Sequence, residues 1–472
     1  MSGGAPLDLG GPEYARLAAD ILELCTEYRK NLRDRPVWTE PDAALLDRVA
    51  TAGIPEDAAA WDAIRETVRA TIFASQGHLA HPRFFAFVPS PNNLVSGLAD
   101  LLVSVHNPFA GNWLEGSGAQ TVERVLTDWL RREIGLPASC GGIFLSGGSL
   151  SNLTALVAAR HCRFGEEDWR RGTLYVSDQA HSSVIRAARI LGFAHDQVRV
   201  IPADEKFRLP VALLQAAMHA DQDAGRVPFC VVGTAGTTNT GAVDPLRAIS
   251  RICRDNQAWL HVDGAHGGAA VLCPEGKEAL DGLDLADSLT LDPHKWLFQP
   301  FASSCLLVRD QTHLRRAFHL SAEYLEAAEG GWNLFDYGPE LSRPFRAFKL
   351  WLSLQVFGAS AFRQAIAHGF HLARYAEQCV RRLPDWEVVT PASMAILTFR
   401  YAPAGTSSDR LDQLNRIVAD HCCARGNAFV ITTRIQAKTV LRLCTINPRT
   451  TEADIASTIE ELAQIAREAG AA

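Results

Sequence analysis

The chain has 472 residues, a hydrophobic fraction of 47% and a formal net charge of −7. This length and composition predict a globular protein of enzyme size with a large buried core. Charges of both signs are interspersed without a basic run, which argues against nucleic-acid binding. The sequence contains no run of about 18 uncharged apolar residues, so we expect no membrane span.

The eleven cysteines are scattered along the chain, and none forms a CxxC pair. Several lie in apolar stretches such as 229–232, which favours buried, reduced thiols. Residues 1–11 lack the basic start and apolar core of a secretory signal. We therefore expect a cytoplasmic protein, and we assign no residue to a metal.

The N-terminal part is predicted to be mostly helical, with loops rich in Pro, Asn and Gly. Apolar residues recur at helical spacing in two stretches, at Tyr14, Leu17, Ile21, Leu24 and Tyr28 and at Val122, Val125, Trp129 and Leu130. Such spacing is typical of amphipathic helices.

After Cys140 short apolar runs alternate with helix-length segments. The runs are 143–145, 174–176, 229–232, 259–262, 289–291 and 305–308. Runs that are apolar on both faces and alternate with helices predict a mostly parallel sheet covered by helices on both sides. Active sites of such sheets gather at the carboxyl ends of the strands.

From about Ala359 the pattern changes to longer helices, with strand candidates at 395–399, 429–432 and 440–444. The last helix opens with a segment like a capping box, 451–454. Its apolar face carries Ile455, Ile459, Leu462 and Ala466. This region predicts a smaller α/β domain.

Residues 146–152 follow the first strand candidate and open a helix. The two glycines let the backbone approach an anion, Ser149 can cap the helix, and free N–H groups point outward, which is typical of a phosphate site. Taken alone, such a segment is more often only a turn. It fits no nucleotide-binding or serine-hydrolase motif.

His181 and Asp263 follow two further strand candidates. A histidine there can stack on a flat ring or move a proton; the alternative is a helix-start histidine with local hydrogen bonds. A carboxylate at a buried strand end needs a partner, either a protonated ring nitrogen or a structural ion pair. Ala265 is small enough to let a ring lie over it.

Lys295 follows the strand candidate 288–291, within the segment Asp292-Pro293-His294-Lys295-Trp296. A hydrated ammonium has little structural reason to lie there, whereas a nucleophilic amine or a Schiff base does. An anion site, a histidine, a buried aspartate and a strand-end lysine in this order match the requirements of pyridoxal 5′-phosphate (PLP).

The chain resembles the group II PLP-dependent amino acid decarboxylases, the family of aromatic-L-amino-acid, histidine and glutamate decarboxylases. The matching segments span nearly the whole chain and are 81–87, 147–152, 178–183, 261–265, 287–288, 293–296, 345–351 and 441–451. The resemblance implies the fold-type I α/β architecture and a homodimer with active sites at its interface. It divides the chain into an N-terminal helical segment that wraps the partner (1–85), a large PLP-binding domain (86–360) and a small C-terminal α/β domain (361–472).

The resemblance also implies roles for individual residues. Lys295 is the Schiff-base lysine, Asp263 is the partner of the pyridine nitrogen, and the ring lies between His181 and Ala265. The implied phosphate ligands are Gly148, Ser149, Ser288 and His294. Thr238 lies in the segment on the phenolic side of the cofactor, and Phe87 and Ser90 correspond to substrate-site residues.

The chain departs from the family at several positions. Asp292 stands where animal members often carry asparagine, and a carboxylate beside an anion repels it unless it is turned away or neutralised. His266 replaces the aromatic residue common after Ala265. Leu79 and Gly111 replace large aromatics typical of aromatic-substrate enzymes, which leaves the substrate open.

The implied reaction is decarboxylation of an L-amino acid to an amine and CO2. In the family a mobile loop supplies the final proton, and members without its tyrosine form an aldehyde by oxidative deamination. The corresponding loop is 325–342, with Gly330–Gly331 as a hinge and Tyr337 as the candidate donor; an ordinary surface tyrosine is the alternative. Another fold-type I lyase or aminotransferase and an inactive binding protein are the remaining alternatives.

Overall fold

The computed structural model describes residues 7–165, 169–320 and 332–471. The helices are α1 Gly11–Asn31, α2 Ala43–Ala52, α3 Trp61–Thr67, α4 Leu94–His106, α5 Trp113–Ile134, α6 Gly148–Phe164, α7 Ser182–Ile190, α8 Val211–Asp223, α9 Leu246–Asp255, α10 Pro274–Ala279, α11 Thr312–Phe318, α12 Phe348–Arg381, α13 Ser408–Arg425 and α14 Glu452–Ala471. The strands are β1 Gly141–Leu145, β2 Gly172–Ser177, β3 Val198–Ile201, β4 Val227–Thr234, β5 Trp259–Asp263, β6 Ser288–Leu291, β7 Ser304–Val308, β8 Trp386–Ser393, β9 Ile396–Tyr401, β10 Ile431–Ile435 and β11 Lys438–Cys444.

The large sheet has seven strands in the order β1-β7-β6-β5-β4-β2-β3. Strands β6, β5, β4, β2 and β3 run parallel, and β7 is antiparallel to both of its neighbours, β1 and β6. The predicted mostly parallel sheet is confirmed. Its parallel strands all deliver their carboxyl ends to one edge, where the site lies.

Helices cover both faces of this sheet, as the apolar runs predicted. Phe144, Tyr175 and Val231 share a core with α5, α8 and α9. Their chain neighbours Ile143, Leu174 and Cys230 share a second core with α6 and α7. Because side chains alternate along a strand, a sheet buried on both faces needs apolar residues at every position.

A second, antiparallel sheet has the order β10-β11-β9-β8. It packs against α13, α14 and the second half of α12. At the start of α14, Thr451 N–H donates to Asp454 Oδ2 at 2.9 Å, and Asp454 N–H donates to Thr451 Oγ1 at 3.2 Å. The predicted capping box is therefore present, and the apolar residues predicted on α14 are buried.

The N-terminal segment reaches the small sheet through an extended stretch, where Phe85 N–H donates to Phe429 O and Cys444 N–H donates to Phe85 O, each at 3.0 Å. The predicted first helix is present as α1, but it buries none of its residues within this chain. Helix α12 is interrupted at Gly358, whose φ of 75° lies outside the helical region. In the part of the chain that the structure describes, no helix is long and apolar enough to cross a membrane.

Candidate active site

A cavity of about 290 Å³ lies at the carboxyl ends of β4, β5 and β6, between the starts of α6 and α7. Its lining residues are Gly147, Gly148, Ser149, Asn152, His181, Ser183, Thr234, Gly236, Thr238, Asp263, Ala265, His266, Asp292, His294 and Lys295. The anion site, the histidine, the aspartate and the lysine that the sequence singled out thus surround one space.

Asp263 ends β5 and is buried, with 5% of its surface exposed. Its Oδ1 accepts a hydrogen bond from Ala265 N–H at 3.1 Å, and its Oδ2 accepts one from Asn152 Nδ2 at 3.0 Å. Among the described residues no cation lies within ion-pair distance of this carboxylate. A buried anion without a cation favours binding of a positively charged group from the cavity.

Behind Asp263 lies a hydrogen-bond chain that the sequence did not reveal. His261 is fully buried and lies 3.0 Å from Asn152 Oδ1 through Nε2 and 2.8 Å from Ser288 Oγ through Nδ1. Burial lowers the pKa of His261 to about 4, so the ring is neutral at neutral pH. This series of hydrogen bonds fixes the Asn152 amide, which in turn orients the carboxylate of Asp263.

Ser288 belongs to this buried chain and does not line the cavity. It begins β6, at the opposite end of the strand from the site, and its hydroxyl also accepts a hydrogen bond from Trp259 Nε1 at 2.8 Å. The assignment of Ser288 as a phosphate ligand is therefore corrected. Its hydroxyl is already occupied by Trp259 and His261.

Lys295 and His294 follow β6 in a turn that also carries Asp292. Lys295 Nζ lies 3.1 Å from Asp292 Oδ2, and His294 Nε2 lies 3.5 Å from the same oxygen. Nδ1 of His294 accepts a hydrogen bond from Ser303 N–H at 3.3 Å, so a neutral ring carries its proton on Nε2, toward Asp292. Burial lowers the pKa of His294, although the Asp292 charge opposes that effect.

The start of α6 forms one wall of the cavity. The helix begins at Gly148, and no side chain caps it. Ser149 therefore lies inside the first turn rather than at the cap, which corrects the sequence interpretation of this serine. The first N–H groups of any helix lack intrahelical acceptors, and here they border the cavity together with the exposed Ser149.

His181 caps α7, and its Nδ1 accepts a hydrogen bond from Ser183 N–H at 3.3 Å. It is thus a helix-start histidine and a cavity residue at once, because the exposed ring borders the opening. Ala265 and the exposed Thr238 line other parts of the same cavity. All three lie where a flat ligand could contact them.

His266 is a further lining residue whose ring stacks on Trp296, with centroids 5.3 Å apart and an interplanar angle of 8°. Its Nε2 lies 2.8 Å from Met394 O in the small domain. Burial lowers the pKa of His266 to about 3, so the neutral ring donates to this carbonyl. His266 therefore links the cavity lining, through its stacking on Trp296 and its hydrogen bond to Met394 O, to the small sheet.

The predicted substrate residues lie outside the cavity lining. Phe87 is 60% exposed, and its carbonyl accepts a hydrogen bond from Arg442. Ser90 is buried and donates to Gln299 O at 3.0 Å. Within a single chain these contacts hold the loop against β11, through Arg442, and against the segment that follows Lys295, through Gln299.

Tyr337 also lies outside the cavity lining. It ends the 3-10 helix Leu334–Tyr337 and packs against Trp332, with ring centroids 5.9 Å apart. Burial raises the pKa of its phenol. The first part of the predicted loop, including the Gly330–Gly331 hinge, lies outside the described residues.

Two arginines that could have bound a distal substrate carboxylate are engaged elsewhere. Arg343 is buried and donates to Glu123 Oε1 at 2.7 Å and to Phe144 O at 2.9 Å. Arg346 forms two hydrogen bonds of 2.7 Å to Glu340. Neither residue lines the cavity, which weakens the aminotransferase alternative.

The two positions that depart from aromatic-substrate enzymes also lie outside the cavity lining. Leu79 packs against Val37 and Phe84. A Cβ on Gly111 would lie 2.5 Å from the ring of Phe109, so that ring occupies the space above the glycine. The same Cβ would lie 2.8 Å from the backbone carbonyl of Leu341, so a larger residue at position 111 requires both Phe109 and the backbone at Leu341 to move.

Comparison with known proteins agrees with this geometry. The pyridoxal-dependent decarboxylase conserved domain matches residues 45–402. The chain therefore belongs to the pyridoxal-dependent decarboxylase family. It is a PLP-dependent carboxy-lyase that acts on an amino acid, as the resemblance implied.

Relatives that match the chain over nearly its full length include both product types. It is 41% identical over 467 residues to the aromatic-L-amino-acid decarboxylase of Bacillus atrophaeus, covering 98% of this chain and 97% of the relative. It is 31% identical to the phenylacetaldehyde synthase of Arabidopsis thaliana, covering 93% and 92%. The crystal structure of Oryza sativa TDC with PLP and tryptamine superposes with a TM-score of 0.93 at 30% identity, covering 98% of this chain and 99% of that chain.

Proposed function

We propose that the chain decarboxylates an aromatic L-amino acid to the corresponding amine and CO2, with PLP bound in the cavity. The 41% identity to an aromatic-L-amino-acid decarboxylase over almost the whole of both chains supports the substrate class. The observation that carries the proposal is that Asp263, a buried carboxylate with no cation beside it among the described residues, and an amine, Lys295, line one cavity.

The residues present fit PLP. When bound, PLP supplies a protonated pyridine ring that accepts the electron pair left by the departing carboxyl group. Asp263 pairs with the ring nitrogen and keeps it protonated, which compensates the buried negative charge. Lys295 would hold the cofactor covalently through its amine.

The other lining residues hold the remaining parts of the cofactor. The N-terminus of α6, with Gly148 and Ser149, binds the phosphate together with His294. His181 and Ala265 would contact the two faces of the ring, and Thr238 would lie on its phenolic side. The location of all these side chains on one cavity supports the assignment.

Tyr337 is proposed as the donor of the proton that replaces the carboxyl group. The phenol has to leave Trp332 and reach a cavity, in the same chain or in a second copy. Formation of an aldehyde by decarboxylation-dependent oxidative deamination is the second candidate function, because the phenylacetaldehyde synthase of Arabidopsis thaliana is 31% identical over most of the chain.

We further propose that the active protein is a cytoplasmic homodimer in which Phe87 and Ser90 contribute to the substrate pocket. The unburied face of α1 and five exposed apolar residues on α4 support a second copy; the latter are Leu94, Leu98, Leu101, Leu102 and Val105, at 44–58% exposure. All eleven cysteines are free thiols, in keeping with a reducing compartment.

The proposed domains are 1–85, 86–360 and 361–472. The interruption of α12 at Gly358 supports the second boundary, and the two sheets, which pack mostly on different cores, support a large and a small domain.

Borohydride reduction of the PLP-loaded protein, followed by peptide mass mapping, tests the site. The cofactor is expected on Lys295 and not on Lys349, a buried lysine paired with Asp100 that serves as an internal control. CO2, amine, aldehyde and peroxide are then measured with a panel of amino acids. Label on another lysine, or turnover by Lys295→Ala at the wild-type rate, would refute the assignment.

A further inference from the structure

Asp292 places a second carboxylate in the cavity, in addition to Asp263. It is 2% exposed, and its backbone N–H donates to Ala265 O at 3.3 Å, which fixes the turn after β6. Oδ2 faces Lys295 Nζ at 3.1 Å and His294 Nε2 at 3.5 Å. Oδ1 is buried and has no hydrogen-bond partner among the described residues.

This carboxylate lies directly against the start of α6. A Cβ on Gly148 would come within 2.9 Å of Asp292 Oδ2 and 3.2 Å of Ala265 Cβ, so only glycine fits between them. An anion at a helix N-terminus is stabilised by the free N–H groups and the helix dipole. Asp292 thus lies beside the helix start that would bind a phosphate group, and it pairs with one cationic group, Lys295.

We propose that Asp292 is a positioning residue that acts as an internal anion in the cofactor-free protein, pairing with Lys295 and competing with the phosphate of PLP for the start of α6. The proposal rests on the proposed cofactor site. Binding of PLP then has to separate Lys295 from Asp292 and bring a phosphate up to a carboxylate. Both effects weaken cofactor binding relative to a site with a neutral residue at position 292.

Removal of the charge should therefore strengthen phosphate binding. A like charge within about 4–6 Å shifts a proton equilibrium by about one unit or more, so we expect roughly a tenfold change in anion affinity. Inorganic phosphate is the first probe, because it cannot react with Lys295. Its affinity for the cofactor-free protein is measured by competition against PLP loading, and the Kd of PLP is measured in parallel.

Asp292→Asn and Asp292→Ala test the charge by two routes, since alanine removes the charge without adding a hydrogen-bond donor. Both variants are expected to bind inorganic phosphate and PLP about tenfold more tightly than the wild type. Asp100→Asn, which removes another aspartate paired with a lysine, Lys349 at 2.9 Å, should leave both affinities unchanged. Circular dichroism confirms that each variant is folded.

Unchanged or weaker phosphate binding in both variants would overturn the proposal. Tighter binding in the asparagine variant alone would also overturn it, because the cause would then be the new amide donor. Borohydride labelling separates this from failure of the proposed site. If Lys295 is labelled while phosphate affinity does not respond to Asp292, only the role of Asp292 fails; if Lys295 is not labelled, the proposed cofactor site fails.

Discussion

Asn152 donates a hydrogen bond from Nδ2 to Oδ2 of Asp263 over 3.0 Å, while its Oδ1 lies 3.0 Å from Nε2 of His261. The amide thus connects a buried neutral imidazole to a buried carboxylate. A donor of this kind stabilises the charged carboxylate and fixes its direction. The efficiency of Asp263 should depend on a residue that need not itself contact the cofactor.

Asn152→Ala is expected to lower kcat by about tenfold to a hundredfold, since one hydrogen bond to a charged group contributes about 1.5–3 kcal/mol. The assay is amine formation at saturating substrate, with bound PLP measured by absorbance. The control is Ser151→Ala. Ser151 lies on the same helix as Asn152 but outside the cavity, and the substitution removes its buried hydrogen bond to Ser304 on β7. Equal losses in both variants would contradict the prediction.

Asp263→Asn should lower kcat by about a hundredfold or more, because the carboxylate stabilises positive charge where the reaction needs it. The cofactor should still be trapped on Lys295 by borohydride, which separates loss of catalysis from loss of attachment. Asp263→Glu keeps the charge and should retain more activity than the asparagine variant. A kcat unchanged in Asp263→Asn would remove this carboxylate from the proposed mechanism.

Tyr337→Phe should shift the product from amine toward aldehyde, because the ring remains but the proton donor is lost. Aldehyde formation also consumes dioxygen and yields ammonia and peroxide, so amine, aldehyde and peroxide are quantified in the same assay. Tyr401→Phe, in the core of the small domain, is the matched control. An unchanged amine yield would mean that the proton comes from another group.

Acid should destabilise the fold partly through His266. Burial lowers its pKa from 6.5 to about 3, so between these pH values the unfolded chain binds a proton that the folded chain does not. The stabilisation that comes from burying His266 as a neutral ring is therefore fully present above pH 6.5. As the pH falls below 6.5, the free energy of unfolding decreases through this residue by at most about 1.4 kcal/mol per pH unit. His266→Phe should flatten the pH dependence of the free energy of unfolding between pH 6.5 and 4.

The measurement is urea unfolding at pH 7, 6 and 5. The phenylalanine variant should be less stable at pH 7, because Met394 O loses its donor. The exposed His421→Gln should reproduce the wild-type slope. If the slopes of His266→Phe and the wild type were equal, His266 would not account for acid sensitivity.

The buried pair of Arg343 and Glu123 gives a separate stability prediction. The side chains are 1% and 0% exposed and 2.7 Å apart. Arg343→Met should lower the free energy of unfolding by about 3–5 kcal/mol, since it leaves a buried carboxylate without a cation. Adding Glu123→Gln should recover part of the loss, whereas Arg381→Met, which breaks a more exposed pair with Glu377, should cost no more than about 1 kcal/mol.

The sequence predicted the central strands but missed β3 and β8. Both are edge strands, and each carries positions that are only half buried or exposed. The search for continuous apolar runs finds strands covered on both faces, including the edge strand β1, but it does not find strands such as β3 and β8 that have half-buried or exposed positions. Pro391 within β8 further conceals it, because proline is tolerated only where a strand lacks a neighbour or a regular ladder.

The site was predicted unevenly for a physical reason. Strand-end polar residues are visible in a sequence because they interrupt apolar runs, and this signal located Asp263 and Lys295. His261 lies within the apolar run of β5 and Asn152 lies within a helix, so their contact depends on the packing of α6 against the sheet. A polar residue inside an apolar strand needs a hydrogen-bond partner, so the position of His261 within β5 was the signal that could have indicated a buried polar contact.

The insertion of β7 between β1 and β6 has a consequence for synthesis of the chain. Strand β1 pairs only with β7 in this sheet, so the backbone of residues 141–145 forms its interstrand hydrogen bonds with residues 304–308. Closing so long a loop is entropically costly and slows folding. A nascent polypeptide that has emerged only as far as Lys295 would still have an open sheet edge beside the future cofactor pocket, and a truncation there should aggregate rather than load its vitamin-derived ligand.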